Sequence, residues 1–304
     1  MSTEQPAGPR SAVAGWRQRL AGAAEFARRR LSGEFEVDEF GFDPDLNAAV
    51  LMPAALALYH RWFRVQARGL ENLPESGPAL LVANHSGVLP LDAIMLQAGV
   101  FAEHPAHRNV RLLGADLVYT LPGLSSLARR SGHTRADPAL ALALLREGEL
   151  VGVFPEGFKG TGKPFSERYR LQRFGRGGFA RTALQAGVPM IPCAIVGAEE
   201  TYPMLANSEK LARMLRLPYF PLTPLFPWLG PIGAVPLPSN WIIEFCAPVP
   251  ACSAAPDPEP GMVAGEGGAE EPDYDTVMDL ADLVRDTIQA KLNELVIERG
   301  PPFG

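Results

Sequence analysis

Four apolar runs of five to ten residues restrict this chain to a sheet-centred fold: 79–83, 110–114, 150–154 and 188–197. Runs of that length suit buried strands and are short for helices. Helical patterning lies between them. In 138–148, Leu140, Leu144 and Leu145 fall on one face, Pro138 opens the segment and Gly148 closes it. Alternating strands and helices imply an α/β fold, a mainly parallel or mixed sheet covered by helices. A helical N-terminal extension and a C-terminal helix complete the expectation.

The run 79–83 ends abruptly in Asn84-His85, and Asp92 opens the next apolar segment. The carboxyl ends of strands are where open α/β sheets place their ligands. Gly87 permits a positive φ and Pro90 stiffens the approach, so the loop can fold Asp92 back onto His85. A histidine oriented by a carboxylate is a general base for a hydroxyl. A turn histidine followed by a helix cap is the structural alternative. A second loop, 157–164, reads Gly-x4-Gly-Lys but ends in Pro164, where a phosphate loop needs the hydroxyl that holds Mg²⁺. This argues against a nucleotide phosphotransferase. No Gly-x-Ser-x-Gly elbow occurs, which disfavours a serine hydrolase.

Three further stretches follow in order: Ser131-Gly132-His133-Thr134-Arg135, Phe154-Pro155-Glu156-Gly157, and Val188-Pro189-Met190-Ile191-Pro192. With the His85–Asp92 loop they resemble the four blocks of the glycerolipid acyltransferase family, also called lysophosphatidic acid acyltransferase-like, over roughly residues 60–250. The family usually places four residues between its histidine and aspartate; six intervene here. The resemblance implies transfer of a fatty acyl group from acyl-CoA or acyl carrier protein to a hydroxyl of a lysophospholipid such as lysophosphatidic acid. His85 would be the base and Asp92 its partner. Arg135 and Lys159 would face the phosphate, and Glu156, Gly157 and Pro189 would shape the substrate site; Arg176, from the arginine-rich stretch that follows and not from a family block, is a further candidate for the phosphate. Glu156 has an alternative role as an acceptor for loop amides. The acyl carrier is a co-substrate, and neither a metal nor a resident cofactor is implied. A neutral acceptor (diacylglycerol or a long-chain alcohol) and an inactive lipid-binding protein are the rival readings.

The 304 residues divide into an extension (1–45), an acyltransferase domain (46–250), a low-complexity linker rich in Pro, Gly, Ala and Glu (251–272) and a C-terminal helical segment (273–304). In the last, Val277, Leu280, Val284, Ile288, Leu292 and Leu295 form one stripe, suited to docking on the domain or to dimerisation. A net charge of −6 excludes a general nucleic-acid binder. Cys193, Cys246 and Cys252 show neither metal-ligand spacing nor a disulfide framework, which fits a reducing compartment.

No secretory signal is recognisable, and no apolar run reaches the roughly 18–20 residues of a spanning helix. Residues 48–59, interrupted by Pro53, are read as a buried helix. Between 11 and 31, Val13, Trp16, Leu20, Ala24 and Leu31 recur near helical spacing beside five arginines. Such a segment lies on an anionic membrane, packs on the domain, or stays a leader. The expected location is cytoplasmic, peripheral on the inner face of the cell membrane. Prolines at 218, 221, 224 and 227 repeat every three residues and predict a polyproline II stretch that covers the core or presents apolar groups to lipid.

Overall fold

The computed structural model describes residues 22, 24–120, 123–251 and 272–303. Its strands are β1 (Gln66–Arg68), β2 (Ala79–Ala83), β3 (Val110–Gly114), β4 (His133–Arg135), β5 (Leu150–Val153), β6 (Met190–Val196), β7 (Ala206–Asn207), β8 (Pro221–Leu222) and β9 (Ile242–Phe245). Seven of them form one sheet in the order β1-β9-β6-β2-β5-β3-β4, while β7 and β8 form a separate ribbon. From β6 to β4 the strands are parallel; β9 runs antiparallel to β6, and β1 runs parallel to β9. The sheet is therefore mixed and mainly parallel, as the alternation of strands and helices implies.

Strand β2 is the middle strand of the seven and is buried along its whole length. Its side chains alternate between two cores. Leu81 and Ala83 join Ile191, Cys193, Ile195 and the helix Leu91–Glu103 on one face. Leu80 and Val82 join Ala194, Val196 and the helices Pro138–Arg146, Gly178–Ala186 and Tyr274–Arg299 on the other. Burying each large aliphatic side chain contributes roughly 1.5–3 kcal/mol, so β2 is fixed from both faces. Asn84 extends the join beyond the strand end. Its amide donates to the Ile195 carbonyl at 3.0 Å and its Oδ1 accepts from the Ile195 N–H at 2.7 Å, taking the place of a main-chain bridge.

The C-terminal helix packs on β6 and on the helix Gly178–Ala186. Its buried stripe is Val277, Ala281, Val284, Ile288, Leu292 and Leu295. Leu280, expected in the stripe, packs partly buried against the same core, beside buried Ala281. Polar contacts fix its far half. Gln289 accepts from Leu171 N–H at 2.9 Å and donates to the Tyr169 carbonyl at 2.9 Å, and Arg299 pairs with buried Glu200 at 2.8 Å.

Strand β1 begins only at Gln66, because Phe63 ends the preceding helical run and Arg64 adopts φ +46°. That run, 44–62, alternates α- and π-type turns and buries Met52, Ala55 and Tyr59. The proline-rich segment is not a polyproline II rod. Pro221–Leu222 pairs with Ala206–Asn207, and Thr223 Oγ1 then accepts from the N–H groups of Leu225 and Phe226, which turns the chain. At the N-terminus, the expected helix is present over 24–32, while Val13, Trp16 and Leu20 lie outside the described residues, as do Cys252 and most of the linker. Arg28, Arg29 and Arg30 are engaged by Glu25 and Glu34, by Asp45 and by Asp43 respectively. These cations are paired within the chain. Among the described residues, no helix is long and apolar enough to cross a membrane.

Candidate active site

Strands β6, β2 and β5 are neighbours, and their carboxyl ends deliver Glu199, His85 and Glu156 to one edge of the sheet. Gly87, at φ +82°, turns the chain after β2, and the helix Leu91–Glu103 begins with Asp92 in its first turn. Asp92 lies 2.7 Å from His85, Oδ2 to Nδ1. The same oxygen accepts from Ser86 N–H at 2.8 Å, and Oδ1 accepts from Ala93 N–H at 2.8 Å. The carboxylate is fully buried and lies in the first turn of that helix. An acceptor-only carboxylate places the imidazole proton on Nδ1 and leaves the Nε2 lone pair free. Among the described residues Nε2 has no hydrogen-bond partner. Phe154 packs against the ring with centroids 4.7 Å apart, and the side chain keeps 16% of its exposure. The two residues added between His85 and Asp92 therefore do not prevent contact.

Glu156 holds the backbone of the same loop. Its Oε1 accepts from His85 N–H at 2.9 Å and its Oε2 from Gln172 N–H at 2.7 Å. Both oxygens are occupied by main-chain donors, the amide-accepting role weighed for it from sequence. Behind it lies Lys163, whose Nζ stands 3.8 Å from Glu156, 3.0 Å from Glu199 and 3.1 Å from the Arg170 carbonyl. Burial raises the carboxyl of Glu156 above its usual range and pushes that of Glu199 up to about 7, both opposed by the Lys163 ammonium. Lys163 points inward to carboxylates and is not offered to a phosphate. A small cleft opens beside this group, lined by Gly87, Val88, Gly160, Lys163, Glu199 and Tyr202.

Gly157 begins the short helix Phe158–Thr161, and Gly160 in that helix packs on the His85 loop. A Cβ at Gly160 would stand 2.6 Å from the His85 carbonyl oxygen and 2.8 Å from Glu156 Cβ. Gly160, inside the loop that reads Gly-x4-Gly-Lys, is thus a close-packing position. Lys159 extends from this helix, exposed.

The remaining sequence candidates lie apart. Arg135 ends β4, three strand spacings or roughly 15 Å across the sheet from β2, and pairs with Asp116 at 2.9 Å. Arg176 is exposed in the turn before the helix Gly178–Ala186. Pro189 stands at the amino end of β6, where its carbonyl accepts from Leu80 N–H at 3.0 Å. That is the opposite edge of the sheet, roughly 20 Å along the strands from His85, so its proline serves strand entry.

Glu199, Glu200 and Tyr169 were not anticipated as neighbours of the site. Tyr169 donates its hydroxyl to Glu200, its N–H to Glu199 at 2.9 Å, and accepts from Gly197 N–H at 2.9 Å. The available signal was two adjacent acids directly after an apolar strand. Among the described residues, no group of His, Cys, Asp and Glu is arranged to hold a metal ion.

The acyltransferase family model matches residues 64–196, a span that contains His85, Asp92 and Glu156. An uncharacterized protein of Mycobacterium tuberculosis is 51% identical over 283 residues, which cover 93% of this chain and 75% of that protein. One from Mycobacterium leprae is 50% identical over 283 residues, covering 93% and 74%. A human protein named a DGAT1/2-independent enzyme synthesizing storage lipids is 29% identical over 169 residues, 55% of this chain and 51% of that protein. The crystal structure of the 1-acyl-sn-glycerophosphate (LPA) acyltransferase PlsC from Thermotoga maritima superposes with a TM-score of 0.51 at 17% identity, covering 91% of this chain and 96% of that one. At that identity the likeness is one of fold.

Proposed function

This chain belongs to the glycerolipid acyltransferase family, and we propose that it moves a fatty acyl group from a thioester, on coenzyme A or acyl carrier protein, to a hydroxyl of a lysophospholipid. The observation that carries the proposal is the 2.7 Å contact between His85 Nδ1 and buried Asp92. It leaves Nε2 as the basic nitrogen at the carboxyl edge of the sheet. Nε2 takes the proton of the acceptor hydroxyl as its oxygen attacks the thioester carbonyl. Asp92 stabilises the imidazolium that forms. The carbon–sulfur bond then breaks, and the proton on Nε2 passes to the departing thiolate. Acceptor and acyl thioester become an ester and a free thiol, with no covalent enzyme intermediate. Glu156 acts as a positioning residue by holding the His85 main chain.

Exposed Lys159, on the helix that packs against the His85 loop, is the cation assigned to an acceptor phosphate. A neutral acceptor is favoured by a separate observation. Lys163, the other lysine of the loop, is consumed by Glu156 and Glu199, and the human relative's name refers to storage lipids. Purified protein given one labelled acyl thioester and separate acceptors distinguishes the readings. Esterification of lysophosphatidic acid or another lysophospholipid in preference to diacylglycerol is the expected result. Preference for diacylglycerol or a long-chain alcohol selects the neutral acceptor. Binding without turnover leaves a lipid-binding protein.

A further inference from the structure

We infer that the segment 202–238 seats this protein on a bilayer that carries anionic lipids, beside the His85 loop. The inference rests on the proposed glycerolipid acyl transfer for its biological sense, but not for its test. One side of the segment is anchored to the domain. Tyr219 donates its hydroxyl to the Val88 carbonyl at 2.8 Å, Phe165 N–H donates to the Met204 carbonyl at 2.8 Å, and Trp62 Nε1 donates to the Pro236 carbonyl at 3.0 Å. Tyr202 and Met204 are buried, and the hydroxyl of Tyr202 reaches the Ala234 carbonyl.

Other side chains of the segment are apolar and exposed. Trp228 is 72% exposed, Met214 71%, Ile232 67% and Leu205 64%, with Leu229 and Val235 half-exposed beside them in the chain. Isolated exposed apolar residues are ordinary on a protein surface, but large ones recurring within one anchored segment are not. The charge of the segment selects the occupant. Residues 202–238 contain Lys210, Arg213 and Arg216 against Glu209 alone, a local excess of two positive charges in a chain of net charge −6. Arg213 is held loosely by Glu209 at 4.0 Å, with both side chains largely in solvent. Exposed tryptophan and aliphatic side chains bordered by lysine and arginine match the headgroup boundary of an anionic bilayer. A second copy of this chain would bring the same positive charges together.

The seating has a consequence for access. Because Tyr219 is bonded to Val88, the loop carrying His85 is tied to the same segment that meets the lipid. Leu89, in the loop that carries His85, and Phe158, on the helix that packs on that loop, are 45% and 43% exposed. An acceptor embedded in the bilayer then reaches the site without leaving the interface.

The full chain, mixed with vesicles of phosphatidylcholine alone or with about 30 mol% phosphatidylglycerol, tests this by cosedimentation. The expected result is binding to the anionic vesicles that falls at least tenfold in Trp228→Ala/Ile232→Ala and in Arg213→Ser/Arg216→Ser, with folding unchanged by circular dichroism. Acyl transfer to a detergent-dispersed acceptor should be unaffected by these substitutions, while transfer to a vesicle-embedded acceptor should fall. Equal vesicle binding by wild type and variants would overturn the inference. So would absence of vesicle binding, or a wild-type dimer that Trp228→Ala/Ile232→Ala converts to monomer without changing vesicle binding. Loss of acyl transfer in detergent by every form would instead strike the proposed activity, and cosedimentation would still decide the docking face.

Discussion

The backbone N–H of His85 donates to Glu156 Oε1 at 2.9 Å, so the residue after β5 fixes the main chain of the residue after β2. Glu156 also accepts from Gln172 N–H at 2.7 Å. In Glu156→Gln only one side-chain oxygen remains for two main-chain donors, and the new NH₂ group faces an N–H. Losing an acceptor for a buried donor costs about 1–3 kcal/mol. Melting temperature and turnover should both fall, and kcat should fall more than KM rises, because the histidine moves and not a substrate contact. Unchanged kcat in a destabilised variant would restrict Glu156 to the fold.

Asp92→Asn separates a catalytic carboxylate from a helix-terminus residue. From sequence, asparagine is expected to preserve the fold while removing the charge. The structure adds a cost, because Oδ2 accepts from both His85 Nδ1 and Ser86 N–H, and an NH₂ group there satisfies neither. Turnover should drop by roughly 10²–10⁴ with a loss of about 1–3 kcal/mol in stability. Urea denaturation and single-turnover rates measure the two effects separately. A stable, fully active variant would leave His85 without its partner.

Burial pushes the Glu199 carboxyl up to about 7 against the opposing Lys163 ammonium, from an ordinary value of 4.5. The folded chain then holds this proton more tightly than the unfolded chain. The stabilising contribution is complete below about pH 4.5, declines as pH rises towards about 7, and is lost above it. The melting temperature of wild type relative to Glu199→Gln should therefore decline from about pH 5 to about pH 8. A difference that stays constant over this range would mean that Glu199 does not titrate there.

Lys163 is expected to be structural in energy and inert towards nucleotides. Lys163→Met leaves Glu156 and Glu199 buried without their cation, and breaking such a group by removing one partner costs about 3–5 kcal/mol. Adding Glu199→Gln should restore part of that loss. Wild-type protein should show no Mg²⁺-dependent nucleotide hydrolysis; hydrolysis that Lys163→Met abolishes would revive the phosphate-loop reading.

The parts of this architecture that depend on local pattern were legible in the sequence. The run 79–83, the turn at Gly87 and the helix opened by Pro138 each carry their own periodicity or turn chemistry, and the structure contains them. The docking stripe of the C-terminal helix was readable too, Leu280 packing partly buried on the core and Ala281 being buried beside it. What escaped depends on contacts across the sheet. Glu199 joins the site only because β6 lies beside β2, and the Nζ of Lys163 is committed to two carboxylates that are remote from each other in sequence. Pro189 illustrates the converse. It belongs to a recognisable block, yet strand direction puts it at the sheet edge remote from His85. The threefold proline spacing at 218–227 failed because Thr223 and the β7–β8 pairing supply hydrogen bonds that an isolated polyproline helix lacks.

The central claim is that the Nε2 nitrogen of His85 activates the acceptor hydroxyl. It is tested most directly by the rate of esterification of a lysophospholipid by a labelled acyl thioester, compared between wild type and His85→Ala under single-turnover conditions. The side chain is 16% exposed and its removal leaves the main-chain bond to Glu156 in place, so the variant should remain folded. Esterification should fall by roughly 10²–10⁴. A folded His85→Ala protein that esterifies the lysophospholipid at the wild-type rate would contradict the account.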